Sequence, residues 1–287
     1  MADVNADELQ ADGLQDFRRM PTMFGPTPGP RNLPAHAEHL RYASNDTIIN
    51  VTARTDGDAL SALLPPRFRV DGEPRLRLLF NILGDLGWLA GRSHEGVLIC
   101  TPAVFEGEEG EVAGNFIFVL WENLPDSLLT GRDDIGFPKL YADIHMARRD
   151  DGYSCSASWD GFRFFELEVE GLSDARTDPR EAPTFLVHRY LPKSFETAAR
   201  VDEVLAVGGA LPGGNLAAPD GRPPESVLKS HRVGTGRFSF TPTRWEDMPT
   251  QYRVVNGLAN LPLLEFEQCV ATKREGREDL STSHVVR

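Results

Sequence analysis

Residues 152–170 read Gly152-Tyr153-Ser154-Cys155-Ser156-Ala157-Ser158-Trp159-Asp160-Gly161-Phe162-Arg163-Phe164-Phe165-Glu166-Leu167-Glu168-Val169-Glu170. From Tyr153 to Trp159 apolar or large side chains alternate with serines, and a second run extends from Arg163 to Glu170, where from Phe165 onward they alternate with glutamates. Side chains two residues apart share one face of a strand, so both runs predict strands with one buried face. Asp160-Gly161 between them is a pair that tolerates the positive φ angles of a tight hairpin turn. The segment therefore predicts two antiparallel strands.

The same signals recur on either side. Apolar or alternating runs stand at Thr47 to Arg54, Arg75 to Leu83, Gly96 to Phe105, Asn115 to Glu122 and Leu140 to Arg148, separated by clusters such as Glu106-Gly107-Glu108-Glu109-Gly110 and Asp150-Asp151-Gly152. Further strands are expected at Thr184 to Leu191, Glu225 to Gly234 and Leu263 to Thr272. Asp56 begins a short helix, Ala59 to Leu64, that Pro65-Pro66 stops. Helices long enough for repeated crossovers are missing from this reading, which disfavours a doubly wound sheet. The expected class is mainly β (α+β), with antiparallel sheets closed into a cone or barrel and few short helices. Residues 1–35, with Pro21, Pro26, Pro28, Pro30 and Pro34, are expected to form an arm after a short helix at Asp7 to Arg19, and 36–287 a single domain. The Gly/Pro-rich stretch Gly208 to Pro224 is a candidate lid.

The composition, 40% hydrophobic and 25% charged over 287 residues, is that of a globular chain. A net charge of −13 opposes binding to nucleic acid or to an anionic membrane. No apolar run is long enough to span a bilayer, and the acidic N-terminus lacks the pattern of a signal peptide, so the expected compartment is the cytoplasm. Cys100, Cys155 and Cys269 are widely spaced and predict neither a disulfide framework nor a zinc site. His36 and His39 have no further ligand nearby in the sequence, and no metal is expected.

Only four of the 30 basic residues are lysines: Lys139, Lys193, Lys229 and Lys273. A desolvated lysine can become a neutral, nucleophilic amine, which an arginine cannot. Lys139 stands in Gly136-Phe137-Pro138-Lys139-Leu140-Tyr141, where Phe137, Pro138 and Leu140 supply apolar company. Bringing a lysine from its ordinary pKa to neutrality requires about 4.6 kcal/mol of destabilisation of the ammonium, within the range known for buried lysines. The competing reading is a lysine whose stem covers apolar surface while its head reaches water.

Gly131-Arg132-Asp133 followed by Gly136-Phe137-Pro138-Lys139 resembles the motif that carries the Schiff-base lysine of the acetoacetate decarboxylase family. The resemblance extends to Arg54-Thr55-Asp56-Gly57-Asp58-Ala59-Leu60 with Leu64-Pro65, to Gly114-Asn115-Phe116, to Pro183 to Pro192 and to Gly234-Thr235-Gly236. It implies a homo-oligomeric lyase for a small keto acid, with Lys139 as nucleophile and no organic cofactor, because the imine itself accepts electrons. It implies Glu95 as acid/base, Arg54 and Arg132 as walls of the site or an oligomer contact, and Phe137 and Leu140 as desolvating neighbours. Tyr252 is a further candidate for the pocket. The chain departs from the pattern at two points. Leu140 stands where the decarboxylase has a second lysine, and the arginine that recognises the substrate carboxylate is replaced near Asn45-Asp46 unless Arg41 serves. Decarboxylation of a β-keto acid therefore competes with aldolase or dehydratase chemistry on a 2-oxo acid. A non-catalytic β-barrel that binds a small molecule, and a purely structural oligomer, are readings from other classes.

Overall fold

The computed structural model describes residues 19–21, 23, 29–30, 33–176, 184–193, 200–208, 226–276 and 284–286. The candidate lid, apart from Gly208, and the expected helix at Asp7 to Arg19, apart from Arg19 itself, lie outside the described residues.

After a 3-10 turn at Ala35–Leu40 the chain forms β1 (Asn45–Arg54), α1 (Gly57–Ser61), β2 (Phe68–Val70), β3 (Arg75–Leu86), β4 (Arg92–Gly107) and β5 (Gly110–Glu122). Next come α2 (Pro125–Ile135), β6 (Lys139–Tyr141), β7 (Asp143–Arg149), β8 (Gly152–Trp159) and β9 (Phe162–Asp174). The remainder is β10 (Phe185–Pro192), β11 (Arg200–Val207), β12 (Val227–Phe240), α3 (Tyr252–Ala259), β13 (Glu265–Phe266), β14 (Cys269–Glu275) and β15 (His284–Val286).

The hairpin predicted from residues 152–170 is β8 and β9, with Cys155 opposite Leu167. Asp160 and Gly161 have φ of 46° and 84°, both in the left-handed region that the tight turn requires. The short helix starts earlier than its pattern suggested, because the Asp56 carboxylate accepts the Ala59 N–H at 2.8 Å and caps it. The run Leu263 to Thr272 is divided between β13 and β14. Both pair with β1, at Ala53 and Arg54 and at Asn45 to Asn50 respectively.

The fifteen strands among the described residues join one sheet, whose main path runs β15-β11-β10-β5-β4-β3-β1-β14-β12-β9-β8-β7. The mainly β expectation holds. In detail the sheet is mixed, because β10 and β6 both run parallel to β5, and its path ends on β7 and β15 instead of joining edge to edge. It curls so that distant strands share one core. Trp121 on β5 packs at 5.0 Å from Phe164 on β9, and its indole N–H donates to Gln251 Oε1 at 2.7 Å just before α3. Ile49, Val51, Phe80, Val97, Trp121, Phe165 and Leu167, none more than 1% exposed, form this main core. A second apolar layer, with Leu98, Ile117, Leu120, Phe137 and Val187, covers the other face of β4 and β5.

Cys100, Cys155 and Cys269 are buried and unbridged, and burial pushes each thiol up to about 12. At pH 8 roughly one such thiol in ten thousand is the reactive thiolate. Iodoacetamide is expected to leave the native chain unlabelled over an hour and to label all three sites in urea, as read by intact mass. Stoichiometric labelling without denaturant would contradict this packing.

Candidate active site

The site begins where β5 ends. Pro125 occupies the first turn of α2, where its missing N–H has no consequence and its fixed φ suits a helix. Ser127, Thr130 and Gly131 are the buried positions of the helix, at the i, i+3, i+4 spacing that faces the sheet. Gly136, at φ 71°, terminates it in the left-handed conformation. Phe137-Pro138 then extends the chain into β6, which lies parallel to β5 with Lys139 opposite Leu120 and Tyr141 opposite Glu122. A parallel pair needs a crossover, and α2 is that crossover. The sequence pattern by itself shows only a Gly/Pro turn here. Helix α2 is therefore an addition to the expected elements, and it provides the roof of the site.

Lys139 and Leu120 share a face of the sheet, and Glu122, two residues beyond Leu120, shares it as well. Lys139 Nζ lies 2.8 Å from Glu122 Oε1 and donates to the Ser127 carbonyl at 3.0 Å and to Ser127 Oγ at 3.4 Å. Lys139 is 7% exposed and Glu122 2%. The second carboxylate oxygen, Oε2, is buried and accepts no hydrogen bond among the described residues. Gly131 forms the ceiling. A Cβ there would stand 2.5 Å from Nζ and overlap the Lys139 side chain. The lysine's path under α2 thus depends on the glycine.

An ammonium this deeply buried would be costly alone, and a carboxylate equally so. Placed 2.8 Å apart they compensate one another as an ion pair. Moving one proton across that contact gives a neutral amine beside a neutral acid. The arrangement therefore contains both an amine and an immediate proton acceptor for it.

The other expected residues are distributed over both faces of the sheet. Arg132 donates to the Lys139 carbonyl at 2.7 Å and borders a cleft of about 140 Å³, together with Gly136, Phe137, Pro138, His188 and Arg189. Phe137 is buried in the layer around Leu120, whereas Leu140, one residue past the lysine, points to the opposite face and packs on the main core. Glu95 also belongs to that opposite face, the one that carries Val97 and Trp121. Asn123 Nδ2 donates to its carboxylate at 2.5 Å, and its charge helps raise the Cys155 thiol after burial itself. The carboxylate in contact with the amine is Glu122, not Glu95. Arg54 is exposed and pairs with Glu73 and Glu265. Tyr252 begins α3, packs on the main core and accepts a hydrogen bond from Arg253 Nε at 3.0 Å. These last two residues stand outside the lysine's immediate surroundings. Arg41 pairs with Glu38. Among the described residues no three His, Cys, Asp or Glu side chains gather as metal ligands, and no helix is long and apolar enough to cross a membrane.

Sequence reading missed Glu122, which is 17 residues before the lysine. The available signal was parity: Glu122 closes the run Phe116-Ile117-Phe118-Val119-Leu120-Trp121, where a carboxylate inside a buried strand needs a partner.

Fold and site together define a β-rich protein organised around one buried lysine–carboxylate pair. The family model for acetoacetate decarboxylase matches residues 19–210, two thirds of the chain, and the chain belongs to that family. Among solved structures, an acetoacetate decarboxylase aligns with TM-score 0.65 and 14% identity, covering 85% of this chain and 89% of the other. MppR, an enduracididine biosynthesis enzyme complexed with pyruvate, aligns at 0.60 and 15%, covering 86% and 90%. An acetoacetate decarboxylase-like enzyme from Sphingomonas wittichii RW1 aligns at 0.56 and 17%, covering 83% and 91%. At these identities the likeness shows the fold. No curated protein sequence matches.

Proposed function

We propose that this protein is a lyase that forms a Schiff base between Lys139 and the carbonyl of a small keto acid. The observation that carries the reading is the Lys139 amine buried under Gly131 and in contact with Glu122. In the reaction Glu122 takes a proton from the ammonium, and the neutral amine adds to the carbonyl carbon. The resulting carbinolamine loses water, with Glu122 returning its proton to the departing hydroxyl. The protonated imine then accepts the electron pair of the breaking bond, giving an enamine that is protonated or attacks an aldehyde.

Loss of carbon dioxide from a β-keto acid is the first form of this chemistry. The second, condensation or dehydration of a 2-oxo acid, is supported by the structural likeness to MppR, which was solved with pyruvate and with a condensation product of pyruvate. Both pass through the same imine. We also propose a homo-oligomer in the cytoplasm, with neither nucleic acid nor membrane as partner and no organic cofactor.

The test is borohydride reduction in the presence of acetoacetate, pyruvate and 2-oxobutyrate, followed by peptide mass spectrometry. The wild-type chain is expected to gain one reduced adduct on the peptide that carries Lys139, and the Lys139→Arg chain none. Carbon dioxide release from acetoacetate assigns the first form, and its absence with a pyruvate adduct assigns the second. A ligand that binds without any reduced adduct would refute the imine and leave a non-catalytic binding protein.

A further inference from the structure

On the opposite face of the sheet from Lys139, at one end of the main core, β1, β7, β8, β12 and β14 bring together Thr47, Arg148, Tyr153, Ser230, Arg232 and Lys273 around a cleft of about 80 Å³. Strand register accounts for the convergence. Lys273 lies opposite both Thr47 and Ser230, Arg232 opposite Ala271, and Arg148 opposite Tyr153. Ile49, Ala271 and Tyr153 face the main core, and the cationic side chains continue that same face toward its edge.

Three cations in one cleft are unusual in a chain of net charge −13, where a carboxylate normally answers each. None of the three makes an ion pair among the described residues. Arg232 donates to the carbonyls of Leu172 at 2.5 Å and Asp150 at 3.2 Å, which fixes its guanidinium without neutralising it. The neighbouring carboxylates are otherwise placed. Glu275 on β14 is paired with Lys229 and also feels the charge of Lys273, without an ion-pair contact between them, and Asp174 is the strand partner of Arg232 but not bonded to it. Glu95 is separated from Lys273 by β1 and β3 in one lateral row and is held by Asn123.

A second observation is independent of charge. Tyr153 lines the cleft, and its hydroxyl makes no hydrogen bond among the described residues, which leaves the O–H available as a donor. The volume corresponds to two or three waters at about 30 Å³ each, which suits one small oxyanion.

We propose that this cleft is a binding site for a small oxyanion, either phosphate or a carboxylate. Arg148, Arg232 and Lys273 supply charge, and Tyr153, Thr47 and Ser230 supply hydroxyl donors. The sheet separates the site from the lysine amine, so its occupancy is independent of imine formation.

The experiment is calorimetric titration of the full chain with inorganic phosphate and, in a second arm, with pyruvate, both at ionic strength fixed with KCl. Saturable one-to-one binding is expected, and the tighter arm identifies the oxyanion's source. Arg148→Gln and Lys273→Gln, both at exposed positions, are expected to weaken it about tenfold each, and Tyr153→Phe roughly fivefold. Lys139→Arg should leave it unchanged. The proposal is overturned by absence of saturable binding, by undiminished binding in both charge variants, or by loss of binding in Lys139→Arg, which would assign the oxyanion to the amine site.

Discussion

Gly131→Ala is expected to slow imine trapping by about a hundredfold or more, although alanine is the better helix former. Two effects oppose one another at this position. Replacing a glycine inside a helix contributes about 1 kcal/mol of stability through backbone entropy. The added methyl would overlap the Lys139 side chain, with Nζ only 2.5 Å away. Overpacking of that kind costs about 1–3 kcal/mol and is relieved only by moving the lysine. The two effects nearly cancel in stability but not in chemistry, because a displacement of about 1 Å at a reacting atom costs about a hundredfold in rate. Borohydride trapping rates and thermal melts of the same variant separate the two effects. In a Lys139→Ala background the clash disappears, and Gly131→Ala should then stabilise the chain. Trapping at the wild-type rate in Gly131→Ala would show that the amine reacts from some other position.

The second large effect concerns the charge pair. Glu122→Leu and Lys139→Met are each expected to cost about 3–5 kcal/mol, because each leaves one buried group without its counter-charge. The double substitution should cost far less than the sum, since two apolar side chains fill the space without a desolvated charge. Urea melts of the two single variants and of the double variant at one pH measure the three costs. A double variant destabilised by the full sum of the single costs would mean that the two groups do not answer one another in the folded chain.

Legibility differed from element to element for identifiable reasons. The β8–β9 hairpin could be read from its residues because alternation and an Asp-Gly turn act over a few neighbouring positions. Helix α2 was missed even though Pro125 and Gly136 mark its two ends, because its interior, Asp126 to Ile135, carries Ser, Thr, Gly and three aspartates where an apolar stripe was sought. The face it buries is small and polar because it covers a lysine, not a core.

The oxyanion cleft illustrates the same difference. Arg148, Arg232 and Lys273 are separated by tens of residues, and each alone reads as an ordinary surface cation. Only the pairings of β7 with β8 and of β12 and β1 with β14 bring them to one face.

From the chain alone came the mainly β class, the hairpins, the burial expected of Lys139 and its setting behind Gly136-Phe137-Pro138. These rest on local periodicity, turn conformation and side-chain polarity, which act over short stretches. The tertiary structure alone decided that Glu122 meets the amine while Glu95 lies across the sheet, and that Gly131 closes the site. Those outcomes depend on the parallel register of β6 on β5 and on the helix that crosses between them. A shift of one residue in that register would turn Lys139 to the other face and away from its carboxylate.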